Sequence, residues 1–495
     1  MSRQAAELGT CCIVLHSHLP WVAHAGAWPV GEEWLYQAWA GAYLPVIDVL
    51  GRLADDGRTD VLTLGMTPVL AGMLDDPYCL REFRTWVADW LVRAEGAVVD
   101  GVPAARREAR LATAALGEVG GRWAAGASPL LRDLAGAGVI ELLGGPASHP
   151  FTPLLEERIA RCQLGVGLDD ALLRTGARPS GIWAPECAFR PGLERLYGSA
   201  GVTHFVIDGP TVGGDTGRAY DVAGSGVVAF PRDLDVTYRV WSPRAGYPGG
   251  PWYRDFHTFD HPSGLKPYRV TSKDSVHKQP YDPDAALSAV RTDVADFVST
   301  VRRRLLDLRT ARDGRPGLVV VAYDTELFGH WWHEGPAFLD AVLRLLPEAG
   351  VRVTTLARAL DDHVEGAREL PCGSWGLGKD WHVWTDPRDL VELAAAVSER
   401  LLQVVDKRVD PYARRDALDQ LTREAFLVLA SDWAFSVSHD NAAQYARGRA
   451  QGHAARFFKL AEALEAYDDD EADALAADFR SLTYPFAHLD ARGLL

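Results

Sequence analysis

After a polar start the chain enters a short apolar run, Cys11–Leu15, and runs of this kind recur along most of its length. Val61–Leu64, Val139–Leu143, Gly181–Trp183, His204–Ile207, Val227–Phe230, Leu318–Ala322 and Val351–Thr355 are of similar size, and several are rich in β-branched residues. Several are apolar without alternation, the pattern of strands covered on both faces. Between them lie segments with helical patterning: Leu44–Ala54, Glu156–Thr175, Gly192–Ala200, Ala285–Leu308 and Phe338–Ala349. Strands alternating with helices predict a parallel sheet. About eight such units predict an α/β fold of the closed or nearly closed β/α-barrel kind.

Two stretches break this rhythm. Arg81–Ala135 is long, rich in Ala, Arg and Glu, and helical in period, which predicts an inserted helical subdomain. From Asp386-Pro387 onward the strands cease, and this pair reads as an N-cap followed by proline in the first helical position. Leu390, Leu393, Val397, Leu401 and Val404 then recur at helical spacing, with further helices over Asp416–Ala430 and Asn441–Tyr467. The expected organisation is a barrel over 1–80 and 136–385, a helical insertion over 81–135, and a C-terminal helical domain over 386–495. Trp241–Arg269, dense in Gly, Pro and aromatic residues, predicts a long ordered loop across the barrel mouth.

In a β/α barrel the residues just beyond each strand line one rim, where the chemistry resides. Here those positions hold His16, Ser17 and His18, then Ser148 and His149, Glu186, Asp208, and finally Asp324 with Glu326. Polar groups converging from several strand ends are hard to explain as satisfied core residues. Glu186 could be a surface carboxylate at a helix start. Its neighbours Trp183, Pro185, Cys187 and Phe189 point to a buried setting instead. Asp324 could be a helix cap, but the segment Asp324–His333 concentrates too many polar and aromatic groups for that alone. Two carboxylates at such a mouth are the minimum apparatus for cleaving a glycosidic bond. His16 and His18 also allow a metal reading, since alternate strand-end residues point the same way and Asp324 or Asp208 could complete a divalent site. On residue chemistry alone, that reading and one in which the histidines bond sugar hydroxyls stand side by side.

Composition narrows the partners. Of the 495 residues 47% are hydrophobic and 24% charged, a globular balance. The net charge of −16 disfavours nucleic acid and anionic membrane surfaces. No apolar stretch has the length of a membrane span, and the first apolar run is too short for a signal segment. Six scattered cysteines without a CxxC predict reduced thiols, and hence a cytoplasmic protein. The 16 tryptophans fit a neutral sugar ligand, whose apolar ring face stacks on indole, although large core residues would raise the count equally.

At its polar motifs the chain resembles glycoside hydrolase family 57, and within it the α-1,4-glucan branching subgroup. His16–Pro20, Glu141–Leu155, Trp183–Phe189 and Tyr323–Trp332 match four family motifs in order. Gly246–Phe256, Ser263–Arg269, Gly373–Gly376 with Trp384, and Ser431–Phe435 resemble subgroup segments. The resemblance implies an incomplete (β/α)7 barrel, a C-terminal helical domain that contributes to the site, no cofactor and no required metal. It implies Glu186 as nucleophile and Asp324 as general acid/base, acting on an α-1,4-glucan such as amylose or glycogen. Arg254, Gly264, Trp375, Trp384 and Asp432 become substrate contacts; Trp252 lies in the implied substrate loop; His16, His18, His149 and Trp28 line the pocket. Gly209–Gly226 is expected to form a flexible lid that favours transfer over hydrolysis, with Tyr220 as its tip aromatic. An α-amylase or a 4-α-glucanotransferase would carry the same carboxylates, and a metal-dependent deacetylase or mannosidase is the alternative outside the family.

Overall fold

In the computed structural model, residues 8–26, 30–242, 245–272 and 274–495 are described. Ten strands occur among them: β1 (Gly9–Ser17), β2 (Leu62–Met66), β3 (Ile140–Leu143), β4 (Gly181–Ile182), β5 (His204–Asp208), β6 (Ala219–Val222), β7 (Val228–Arg232), β8 (Gly317–Asp324), β9 (Arg352–Val353) and β10 (Val364–Arg368). All eight strands expected from the apolar runs are present, while β6 and β10, which are short and partly exposed, went unread.

β1 lies parallel to β8 on one side. On its other side β9 pairs with its first half and β2 with its second. β3 follows β2, and β5 lies between β4 and β7, all parallel. A parallel bridge between Gly144 and Ile182 carries the sheet from β3 to β4. Between β7 and β8 no ladder forms among the described residues, and a bond of 2.7 Å from the Asp233 N–H to the Val320 carbonyl spans the gap. The seven-stranded barrel is therefore incomplete at one seam. β1 and β8 are buried almost throughout because side chains fill the barrel on one face and helices cover the other.

Within residues 81–135, the Pro77–Val99 and Ala105–Gly120 helices pack on each other, whereas the Ser128–Gly136 helix packs against β3 and the Glu157–Thr175 helix. Beyond the barrel, the Asp416–Val428 helix is buried from Ala417 to Val428 and forms the axis of the C-terminal helices. Its polar residues are matched: Arg423 donates to the Pro485 carbonyl at 2.6 Å, and Glu424 receives His453 at 2.7 Å. Asp386 does not cap the next helix, which spans Arg388–Arg408 with Pro387 in the N-cap position; the segment before it is already a short helix, His382–Thr385. Trp241–Arg269 is largely irregular, as expected, and is pinned by bridges such as Arg254 to Arg269.

The expected tip aromatic does not stand at the tip of a lid. Tyr220 lies in β6, 4% exposed, with β7 antiparallel on one side and β10 on the other. Its hydroxyl donates to the Asp215 carbonyl at 2.9 Å, and Arg368 covers its ring. Because β6 runs against β7, the turn between them lies at the N-terminal end of the barrel, opposite the rim formed by the strands' C-terminal ends. Among the described residues, no helix is long and apolar enough to cross a membrane.

Candidate active site

Glu186 follows β4 and sits in the left-handed region with φ 64° and ψ 18°, as does Cys187 with φ 48°. Left-handed non-glycine backbone is uncommon and persists only where surroundings enforce it. Here the enforcement is local: Phe189 and Gly373 exchange backbone bonds of 3.0 and 3.1 Å, and the Trp375 N–H donates to the Glu186 carbonyl at 2.9 Å. The turn aims the carboxylate inward, where it is 6% exposed.

Two neutral donors hold that carboxylate. Trp375 Nε1 donates to Oε2 at 2.8 Å and Ser431 Oγ to Oε1 at 2.7 Å. Ser431 comes from the C-terminal helices, which dock on the barrel where Pro150 bridges Ala430 and the Ser431 N–H meets the His149 carbonyl at 3.0 Å. The histidines extend the chain: His149 Nδ1 is 3.0 Å from Ser431 Oγ, and His149 Nε2 is 3.1 Å from His16 Nε2. Burial holds both rings far below the usual histidine range, so both are neutral. Because Ser431 donates to a carboxylate, His149 Nδ1–H donates to Ser431 and His16 Nε2–H to His149. His16 Nδ1 is then a bare acceptor, consistent with its lack of a hydrogen-bond partner. All donors in the chain run toward Glu186.

Asp324 ends β8 level with His16 on β1. Glu326 lies beyond it, fully buried, accepting from the Tyr43 hydroxyl at 2.5 Å and the His18 N–H at 3.1 Å. Burial pushes the Glu186 and Glu326 carboxyls up to about 7. Asp324 is driven well above the carboxylate range by burial first, then by Glu326 and Glu186; Arg232 opposes this. Burial and like charges thus favour the protonated form of Asp324, while the Ser431 and Trp375 donors favour the ionised form of Glu186, the division of labour that glycosidic cleavage requires.

His18 Nε2 lies 3.0 Å from both Asp432 oxygens and its Nδ1 3.0 Å from Thr67 Oγ1. The donor atoms of His18, His149 and Asp432 fall within 4.8 Å of one another, the one set among the described residues with metal-like spacing. Both His149 nitrogens are engaged in the chain to Glu186, and His18 bonds Asp432 directly, so hydrogen bonds account for this set as it stands. Asp208 is instead paired with two cations, Arg232 and Lys379, each at 2.8 Å.

The remaining expected residues divide. Trp375 joins Glu186, whereas Trp384 is buried behind it, stacked on Phe151 with centroids 4.5 Å apart. Arg254 and Gly264 line a separate cleft of about 490 Å³ between the Pro77–Val99 and Ala105–Gly120 helices and the mouth loop. There Arg254 pairs with Glu108 at 2.7 Å, and Trp86 and Trp90 form part of one wall. Trp252 is half-exposed under Arg269. Trp28 lies outside the described residues. Two side chains of the site went unread, Ser431 as a partner of Glu186 and Tyr43 as a partner of Glu326. Tyr43 closes a π-helical turn, Trp39–Tyr43, that packs Gly41 on Gly329 so tightly that a Cβ on Gly329 would meet the Gly41 carbonyl at 1.8 Å. The small residues between Trp39 and Tyr43 were the available signal.

Residues 118–369 match the sequence profile of glycosyl hydrolase family 57, and residues 394–493 that of the C-terminal region of 1,4-alpha-glucan branching enzymes. The chain is 51% identical to a "probable 1,4-alpha-glucan branching enzyme" of Mycobacterium tuberculosis, covering 98% of each chain. It is 33% identical to a 1,4-alpha-glucan branching enzyme of Thermococcus kodakarensis, over 93% of this chain and 74% of the relative. The crystal structure of a branching enzyme from Pyrococcus horikoshii superposes with a TM-score of 0.91 at 30% identity, covering 99% of this chain and 97% of that one. An alpha-amylase from Thermotoga maritima gives 0.87 at 26%, over 98% and 99%. With carboxylates gathered at the strand ends of a seven-stranded barrel and these matches along its length, the chain belongs to glycoside hydrolase family 57.

Proposed function

We propose that the protein is a retaining 1,4-α-glucan branching enzyme. The observation that carries the reading is the opposed setting of two carboxylates, Glu186 under two neutral donors that favour its ionised form and Asp324 beside two further carboxylates that favour its protonated form. Glu186 attacks C1 of a glucosyl unit as Asp324 gives its proton to the departing 4-oxygen, leaving a glucosyl ester on Glu186. Esterification removes the Glu186 charge and with it part of what holds the Asp324 proton. Asp324 then serves as base and takes the proton from the 6-hydroxyl of a second chain. That oxygen attacks C1, the ester bond breaks, and an α-1,6 branch forms. Trp375 sits where an indole can carry a sugar over the nucleophile. Arg254 and Gly264 contact a more distant part of the glucan in the second cleft, and His18 and Asp432 bond its hydroxyls at the rim. The six cysteines are unpaired, five of them buried, which suits the cytoplasm.

Incubation with amylose followed by proton NMR tests this reading: the α-1,6 anomeric signal grows at the expense of α-1,4, and its failure to grow refutes branching. A hydrolytic reading is favoured by one observation, the burial of Tyr220 away from the rim where a lid aromatic was expected. It would show as reducing ends released without new α-1,6 linkages.

A further inference from the structure

The segment after Gly373 carries Trp375 to the nucleophile, yet its fixed point lies elsewhere. Lys379, four residues on, holds φ 64°, an uncommon conformation for a lysine. Its Nζ lies 2.8 Å from Asp208 Oδ2 and donates to the Trp375 carbonyl at 3.0 Å. Asp208 ends β5 and is fully buried. Its other oxygen receives Arg232 from β7, and the Arg232 guanidinium lies 5.2 Å from the centre of the Trp375 ring. One buried carboxylate thus ties two barrel strands to the loop, and both of its cations reach Trp375, one at the backbone and one at the ring. None of the three touches Glu186 through a hydrogen bond; each acts through the indole that does.

We propose that Lys379 is a positioning residue that latches the Trp375 loop to Asp208 and so governs whether the glucosyl group on Glu186 passes to a sugar hydroxyl or to water. The inference rests on the branching reading. Both outcomes break the same C1–O bond to Glu186 and deliver one proton to Asp324. They differ in the attacking oxygen: a 6-hydroxyl yields a branch, and water yields a free reducing end. A latched indole covers the ester and offers a face to the acceptor sugar. A loosened one admits water.

Lys379→Met removes the charge and keeps the length of the side chain. The branch-to-reducing-end ratio on amylose then falls about five- to tenfold, the scale of losing one charge-assisted hydrogen bond, and Lys379→Arg restores most of it. The pH limits of activity stay where they are, because Asp324 and Glu186 are not altered. A ratio within twofold of wild type in Lys379→Met overturns the latch, as does a fall that Lys379→Arg leaves uncorrected. Should Lys379→Met fail to fold, Lys379→Gln, which keeps a donor toward the Trp375 carbonyl but no charge, is read in the same way. If the wild-type protein forms no α-1,6 linkage, it is the branching reading that fails. The latch is then read from the lifetime of the glucosyl ester by intact-mass spectrometry, which Lys379→Met shortens if the latch exists and leaves unchanged if it does not.

Discussion

The catalytic rim and the cleft around Arg254 are both lined with buried ionisable groups, and they treat charge in opposite ways. In the cleft, Arg254 pairs with Glu108 and its N–H approaches Glu334 at 3.3 Å. Lys266, pushed down to about 7 by burial and by Arg254, lies 3.7 Å from the Phe256 ring centre. At the rim, no ion pair joins Glu186, Asp324 or Glu326 to an arginine or lysine among the described residues. Their hydrogen-bond partners are serine, indole and tyrosine groups and a backbone N–H. A full countercharge would pin a carboxylate in its ionised form. Neutral donors hold its position and leave its charge free to change during a reaction. On the proposed reading, the cleft holds a ligand and the rim moves protons and forms a bond.

The sharpest way to break this contrast is at the nucleophile. Glu186→Gln lowers branching by more than about 10³-fold, a loss typical of deleting a covalent catalyst, while glucan binding persists in a pull-down with amylose resin. Retained turnover would remove the rim from the chemistry. The same variant tests whether the rim costs stability. The Glu186 carboxyl is raised to about 7, so as pH climbs from the unfolded value toward 7 the unfolded chain releases its proton first and the fold loses stability. Above 7 the penalty is complete, and calorimetry should find Glu186→Gln melting higher than wild type at pH 8, with the gap closing near pH 4.

Next in size is a change in pH dependence. Wild-type activity rises as Glu186 ionises near pH 7 and falls at higher pH as Asp324 loses its proton. The charges acting on Asp324 are Glu326 and Glu186, which hold the proton on, and Arg232, which opposes them. Glu326→Gln removes one like charge, so the falling limb of kcat/KM moves to lower pH while the rising limb stays. An unmoved falling limb would make Glu326 a packing residue. The smallest effect belongs to the cleft. Gly264 has φ 67°, and a Cβ there would come 2.8 Å from the Arg93 guanidinium that bonds the Ser263 carbonyl. Gly264→Ala should raise KM for long glucans by about two- to fivefold through strain of roughly 1 kcal/mol, with kcat unchanged. A fall in kcat instead would mean that cleft and rim do not work separately.

Much of this was legible in the residues. The apolar runs locate the barrel strands because a strand buried on both faces must be apolar throughout, whatever its partner. β10 escaped because it is an edge strand, partly exposed and carrying Glu365 and Arg368, and β6 because its four residues, Asp221 among them, form no apolar run. The same blind spot let Tyr220 pass for a lid residue. The strand-end carboxylates and histidines were visible as chemistry out of place in an apolar pattern.

What the sequence determined by itself is therefore the barrel strands, the helical C-terminal region and the identity of Glu186 and Asp324 as unusual carboxylates. Only the tertiary structure decided which groups act on them. Ser431 reaches Glu186 across 245 residues and Trp375 across 189. Lys379 meets Asp208 only because a loop folds back over the ends of β5 and β7. Periodicity records which face of an element is buried, a local property of the chain. Hydrogen-bond partners are set by how two elements dock, and docking depends on the whole core at once.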